Sequence, residues 1–312
     1  MGSLILLLIV GWLLSIASFC GQYNNICEIL SHLRPVLCAA AAVLALLCLI
    51  CGNLIAALAG LLLVLLNGEP ILQLHLPAQQ PVIETSTPRL KILQMNLWGG
   101  RNHYFDRAVQ IVRDENPDIV CFSENTATWS EPLKERLPDY RYLIGTPQYS
   151  GISIFSRIPL QQEQLKYFGA KHRPRVQTRL KIGKRTVTLI FVHPEVPFGP
   201  QRYRNEELAE ITADVKGLHE PVILAGDMNC TPWSYYFDKL KEDTQLRDTE
   251  QGIGMQPSWS AFWPVPLFPI DHYLVSKEFA TVSRHVGHRF GSDHFPVFVE
   301  LALPASPETE PQ

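Results

Sequence analysis

Residues 90–303 predict a layered α/β or α+β sandwich preceded by membrane helices. Three observations support this. Short β-type runs alternate with amphipathic helical stretches over that range. Polar, chemistry-bearing residues recur at the ends of those runs. The charge also divides sharply. Residues 1–88 hold one basic residue, Arg34, and three acidic ones, Glu28, Glu69 and Glu84. Of the 27 Lys+Arg and 30 Asp+Glu in the chain, 26 and 27 therefore lie in 89–312, a formal charge of −1. That part is long enough for one sizeable domain. Its charge gives no sign of a basic nucleic-acid surface.

The first apolar stretch, 3–19, is about long enough to span a bilayer. It lacks the charged start of a cleaved signal peptide, and bulky Phe19 stands where a small residue precedes a cut, so a retained helix is expected. The second stretch, 36–67, would run about 48 Å as one helix, too long for a hydrocarbon core of ~30 Å. Cys51, Gly52 and Asn53 offer a break at its middle. A membrane anchor over 1–67 with two or three transmembrane helices is the expectation. A Pro-containing linker over 68–89 follows, with no basic residue before Arg89. That favours export of the domain, and three spans with an inside N-terminus would also place it outside. Two spans would leave it in the cytoplasm. Cys20 and Cys27 flank the first loop and are either paired or free.

Within the domain, 90–96 alternates as a strand, and 105–115 carries apolar residues at helical spacing. Residues 118–123, 150–156 and 184–193 read as strands. Residues 205–218 place Leu208, Ile211, Val215 and Leu218 on one helix face. Residues 221–227 form a buried strand, and a helix is expected next with Thr231 as N-cap and Pro232 at its first position. Strands at 271–276 and 295–303 close the domain, and 304–312 reads as a disordered tail.

Asn96, Glu124, His193, Asp227 and Asn229 follow or end strands, while Asp271, Asp293 and His294 precede or begin them. Loops at strand ends carry chemistry. This inventory suits metal-assisted attack on phosphorus. A hard cation such as Mg²⁺ takes carboxylate and amide oxygens, which Glu124 and Asn96 supply. Asp227 suits the carboxylate that holds an attacking water. Asn229, His193 and His294 suit the donors that meet phosphoryl charge. A charge-stabilising His needs an orienting acid, and Asp271 is the candidate. Arg204 is a candidate substrate contact or a solvated or structural residue, and Arg157 is open to the same two readings. The aromatic- and proline-rich 259–269 stretch is a packed loop or an apolar lip for a lipid substrate.

Six motifs in order resemble the endonuclease/exonuclease/phosphatase superfamily, which includes DNase I, apurinic endonucleases, neutral sphingomyelinases and inositol polyphosphate 5-phosphatases. They are QMN with Asn96, SEN with Glu124, VHP with His193, GDMN with Asp227 and Asn229, IDHYLVS with Asp271, and GSDH with Asp293 and His294. The resemblance covers about 90–303. It implies a four-layer α-β-β-α sandwich of two mixed sheets. It also implies Mg²⁺, with Mn²⁺ as the alternative, held by Glu124 with Asn96 and Asp293 near. Asp227 would position water, Asn229 and His193 would hold phosphate, and His294 paired with Asp271 would stabilise the transition state. Ser123 before Glu124 departs from the common Gln, and Cys230 stands where small residues are frequent.

The chain also resembles the bacterial subgroup with N-terminal membrane helices, some members of which are associated with polyprenyl-pyrophosphate turnover. The resulting expectation is an inner-membrane phosphohydrolase, its catalytic domain on the outer face, acting on a phosphorylated and lipid-linked substrate. A nuclease on the same chemistry is the alternative, and a non-catalytic binding protein ranks last.

Overall fold

A computed structural model describes residues 1–147, 151–169, 171–198 and 201–305. Ser150, at the start of one expected strand, and 306–312 of the expected tail lie outside them. The chain begins with α1 (Gly2–Ala17), α2 (Asn25–His32), α3 (Arg34–Ile50) and α4 (Leu54–Gln73). It continues through β1 (Arg89–Asn96), α5 (Phe105–Glu115), β2 (Ile119–Ser123), α6 (Ala127–Arg136), β3 (Tyr142–Thr146) and β4 (Ile152–Ser156). Then come β5 (Gln161–Phe168), β6 (Arg173–Ile182), β7 (Arg185–Val192), α7 (Gln201–Lys216), β8 (Val222–Asp227) and α8 (Tyr235–Thr244). The last strands are β9 (Arg247–Asp248), β10 (Asp271–Val275), β11 (Ala280–Val286) and β12 (Val297–Ala302).

The strands form two six-stranded sheets, ordered β11-β12-β1-β2-β4-β3 and β5-β6-β7-β8-β10-β9. Each is mixed: β1 runs parallel to β2 and β7 parallel to β8, and the other pairs are antiparallel. Successive strand residues point to opposite faces, and this builds four layers. Ile92, Cys121 and Val299 of the first sheet meet Leu189, Phe191 and Tyr273 of the second in the central core. Met95 and Phe122 turn outward onto Val109 of α5 and Trp129 of α6. Ile190 and Leu224 turn outward onto Ile211 of α7 and Phe237 of α8. Each such apolar side chain contributes about 1.5–3 kcal/mol when fully buried. The four-layer sandwich implied by the motifs is the fold.

One local expectation is corrected. Thr231 does not cap a helix, because α8 starts at Tyr235 behind Ser234. The Thr231 hydroxyl instead lies 2.8 Å from His32 Nδ1.

The chain turns between α3 and α4 at Gly52, where φ is +73°. A β-carbon is disfavoured in that left-handed region. Asn53 then caps α4, accepting from the Ala56 N–H at 3.0 Å. Helix α4 runs to Gln73, past the expected start of the linker. Its Asn67 donates to the Ser15 hydroxyl of α1 at 2.9 Å. Among the described residues, α4 alone is long and apolar enough to cross a membrane, with a mean hydropathy of 2.0. Helices α2 and α3 reach that length only jointly, across a 66° bend, and α1 is shorter. Leu13, Ile50 and Ile55 are among the many exposed apolar side chains on these helices. Cys20 and Cys27 are both free.

Candidate active site

The sheet registers carry the site residues to one end of the sandwich. Asn96 ends β1 opposite Ser123 of β2, so Glu124 emerges beside it. Asp227 ends β8 directly opposite Asp271 of β10. His193 follows β7, whose Val192 pairs with Gly226. A β-carbon at Gly226 would sit 2.1 Å from the Val192 carbonyl oxygen, so only glycine lets the two strands approach this closely before Asp227. Glu124 and Asn229 both have left-handed backbone, φ 52° and 50°. Non-glycine residues held there are strained and concentrate at functional sites.

Asp227 is the hub. It is 1 % exposed. Its Oδ1 accepts from the Asn229 N–H at 3.1 Å, and its Oδ2 accepts from Asn96 Nδ2 at 3.0 Å. His193 Nε2 and His294 Nε2 each lie 3.5 Å from the same Oδ2. His294 Nδ1 in turn lies 2.8 Å from Asp271 Oδ2. Burial opposes charge on His294, but Asp271 and Asp227 outweigh it and push the imidazole up to about 10. Burial also works against the Asp271 carboxylate, yet the charge and hydrogen bond of His294 hold it below its usual range. Burial pushes Asp227 up to about 7 against the opposing pull of His294. Burial, then the charges of Arg173 and His294, keep His193 well below the ordinary imidazole range. Near neutral pH the site therefore combines a cationic His294, a neutral His193 and a carboxylate with a pKa near the working pH. A general base is most effective under that last condition.

Glu124 and Asp293 line one pocket with these residues. Burial raises the Glu124 carboxyl, and the nearby Asp293 charge raises it further. Two carboxylates lining one pocket fit a hard cation that keeps several waters. Asn96 sits beside Glu124 and Asp227. Its amide nitrogen bridges Glu124 Oε1 at 3.2 Å and Asp227 Oδ2, while its oxygen accepts from the Trp98 N–H at 3.0 Å. It ties Glu124 to Asp227. Asn229 Nδ2 donates to the Pro194 carbonyl at 3.1 Å.

Two expected or unassigned arginines lie elsewhere. Arg204, the candidate substrate contact, is buried on Glu28 at 3.0 Å, outside this cluster. Arg157 bonds Asn116 and stacks on Tyr140. Three supporting residues escaped the sequence reading. Gln94 donates to Asp271 Oδ1 at 2.7 Å, Trp259 Nε1 to Asp293 Oδ2 at 3.1 Å, and the Ser292 hydroxyl to the Asn96 carbonyl at 2.7 Å. Gln94 was findable, since it lies two residues before Asn96 on β1 and so shares its face.

The residue after Asp271 turns the other way. His272 Nε2 lies 2.8 Å from the Cys230 carbonyl oxygen, so the ring nitrogen donates there. The ring sits in a buried group with Asp248 and Glu250. Burial pushes Glu250 up to about 8, against the opposing charge of Arg284. The folded chain thus holds this proton to higher pH than the unfolded chain does. Stability falls as pH rises from the ordinary carboxylate range through about 8. Glu250→Gln is expected to flatten that decline, checked by chemical denaturation across the interval.

The Endonuclease/Exonuclease/phosphatase family model matches residues 93–294. No curated protein matches the chain. Among solved structures, the chain is similar to the mannosyl-6-phosphatase of Bacteroides thetaiotaomicron, at 21% identity and a TM-score of 0.58, covering 69% of this chain and 100% of that one. It is similar to an endonuclease/exonuclease/phosphatase from Beutenbergia cavernae at 20% identity and a TM-score of 0.60, covering 71% and 73%. It is also similar to D. rerio TDP2 complexed with single strand DNA product, at 15% identity and a TM-score of 0.58, covering 68% and 98%.

Proposed function

The chain belongs to the endonuclease/exonuclease/phosphatase family, and on that premise we propose that it is a membrane-anchored, Mg²⁺-dependent phosphohydrolase cleaving a lipid-linked phosphoester or pyrophosphate. One observation carries the lipid reading. The pocket that holds Asp227 and His294 is walled by Val196, Phe198, Trp259, Phe268 and Ile270, and Phe198 is 72 % exposed at its mouth. Beyond it, Phe262, Trp263 and Val265 are exposed on the aromatic loop. Exposed apolar surface of this kind marks contact with membranes or apolar ligands. The exposed apolar faces of α1, α3 and α4 support an anchor in a bacterial inner membrane. The absence of basic residues over 68–88 favours the outer face for the domain. Tethering raises the effective concentration of a membrane substrate.

Mg²⁺ bound at Glu124 and Asp293 would polarise a phosphoryl oxygen and neutralise developing charge. The remaining work falls to the side chains. Asp227 orients the attacking water and accepts its proton. Asn229 and neutral His193 hold the phosphate. Cationic His294, fixed by Asp271, faces the charge that grows on the phosphoryl oxygens.

A nuclease is the second reading, favoured by the likeness to TDP2 bound to a DNA product. The domain's charge of −1 opposes it, since DNA binding draws on many Lys and Arg contacts. The test is Mg²⁺-dependent hydrolysis by the purified full chain, with polyprenyl pyrophosphate and plasmid DNA side by side and Asp227→Asn as background. Phosphate release from the lipid is expected. DNA nicking without lipid turnover would overturn the proposal in favour of the nuclease.

A further inference from the structure

Helix α2 stands between α1 and α3 in sequence, yet its polar side chains bind the catalytic domain. Asn25 Nδ2 donates to the Pro197 carbonyl at 2.7 Å. Glu28 pairs with Arg204 at 3.0 Å, with both side chains at most 1 % exposed. The Ser234 hydroxyl donates to the same Glu28 oxygen. These contacts set one side of α2 against the mouth of the active site. Ile29, His32 and Leu33 line the same pocket as Glu124, Asp227 and His294.

Thr231 meets His32 Nδ1 twice, with its hydroxyl at 2.8 Å and its backbone N–H donating at 3.4 Å; in the tautomer where Nδ1 accepts both, the hydrogen sits on Nε2. Nε2 is buried and has no protein partner among the described residues. A buried donor left unmatched is costly. A phosphoryl oxygen in the pocket would satisfy it, beside Asn229, two residues from Thr231. Ile29 and Leu33 add apolar wall to that already made by Trp259 and Phe268. Helix α2 leads on into α3, whose apolar side chains Val43, Leu46 and Leu49 are exposed. The polar floor and apolar walls are continuous, as a phosphate joined to a hydrocarbon requires.

We infer that α2 completes the substrate pocket: His32 donates its Nε2–H to a phosphoryl oxygen, and Ile29 and Leu33 hold the hydrocarbon that continues from the phosphate. The hydrocarbon half rests on the lipid reading above. The anchor is then part of the binding site as well as a tether. The domain without α2 would lack one wall and one donor.

The test uses the full chain in detergent with Mg²⁺, comparing farnesyl with isopentenyl pyrophosphate. The Ile29→Asn/Leu33→Asn double variant is expected to lower the farnesyl-to-isopentenyl ratio of kcat/KM about tenfold. Leu33→Trp keeps an apolar contact with the domain and fills the pocket, and it should lower the same ratio. His32→Leu should lower kcat/KM for both substrates, about tenfold or more, through loss of a hydrogen bond to a charged group. Unchanged ratios in both wall variants would overturn the hydrocarbon wall, and an unaffected His32→Leu would overturn the donor. A wild-type chain that cleaves isopentenyl but not farnesyl pyrophosphate would overturn the lipid reading itself.

Discussion

Replacing Asp227 with Asn is expected to lower kcat for Mg²⁺-dependent phosphoester hydrolysis about a thousandfold, the scale of a lost general base. The two side chains have nearly the same shape, so geometry survives. Hydrogen bonding does not. Asp227 Oδ1 faces the Asn229 N–H and Oδ2 faces Asn96 Nδ2, so both positions need acceptors. An amide nitrogen at either one sets donor against donor. The variant also removes the charge that helps hold His294 protonated. The pH dependence of stability should change as well. Burial already pushes the Asp227 carboxyl up to about 7, so ionising it at higher pH costs the folded state. A variant with much lower activity, whose melting temperature falls less than the wild type's as pH rises through about 7, is the expected result. A folded variant with near wild-type activity would remove Asp227 from the chemistry.

The second large effect lies away from the chemistry. Arg204→Met is expected to destabilise the chain by about 3–5 kcal/mol, because it leaves Glu28 charged, buried and without its cation. Glu28→Leu combined with Arg204→Met should recover much of that loss, since a buried ion pair exchanged for apolar packing is often neutral. Thermal melting of both variants in detergent checks this. If Arg204 bound substrate from an exposed position, the single change would leave the melting temperature within the small range of surface substitutions.

The catalytic end of the molecule was legible because strand ends leave a mark in sequence. Apolar runs stop or start at polar residues that the sheet has no reason to bury, and Asn96, Glu124, His193 and Asp227 at run ends converge with Asp271 at a run start. Helix α2 was not legible. It buries Glu28, Ser31 and His32 and exposes Ile26. Its inward face is polar, so a search for an apolar stripe passes over it. The pairing of Glu28 with Arg204 explains the inversion, and nothing local to either residue announces the other. Thr231 failed for the same reason. Its Thr-Pro pattern fits a helix start, but its hydroxyl is committed to His32 across the fold. Strand β5 was missed because it is a polar strand at a sheet edge, with little apolar alternation to read. Helix α6 carries Pro132 in its interior, which reads as a breaker.

The contacts that hold α2 join residues far apart along the chain: 172 positions for Asn25 with Pro197, 176 for Glu28 with Arg204, and 199 for His32 with Thr231. Synthesis delivers this helix long before these three partners. Loops of that size close late, since their entropy must be met before distant contacts reward it. The pocket is therefore lined by a segment that emerged near the beginning of synthesis and by His294, which emerges near its end. A nascent chain carries Asn96 and Glu124 before the full cleft can form, so the complete set of pocket residues arrives only with the finished molecule.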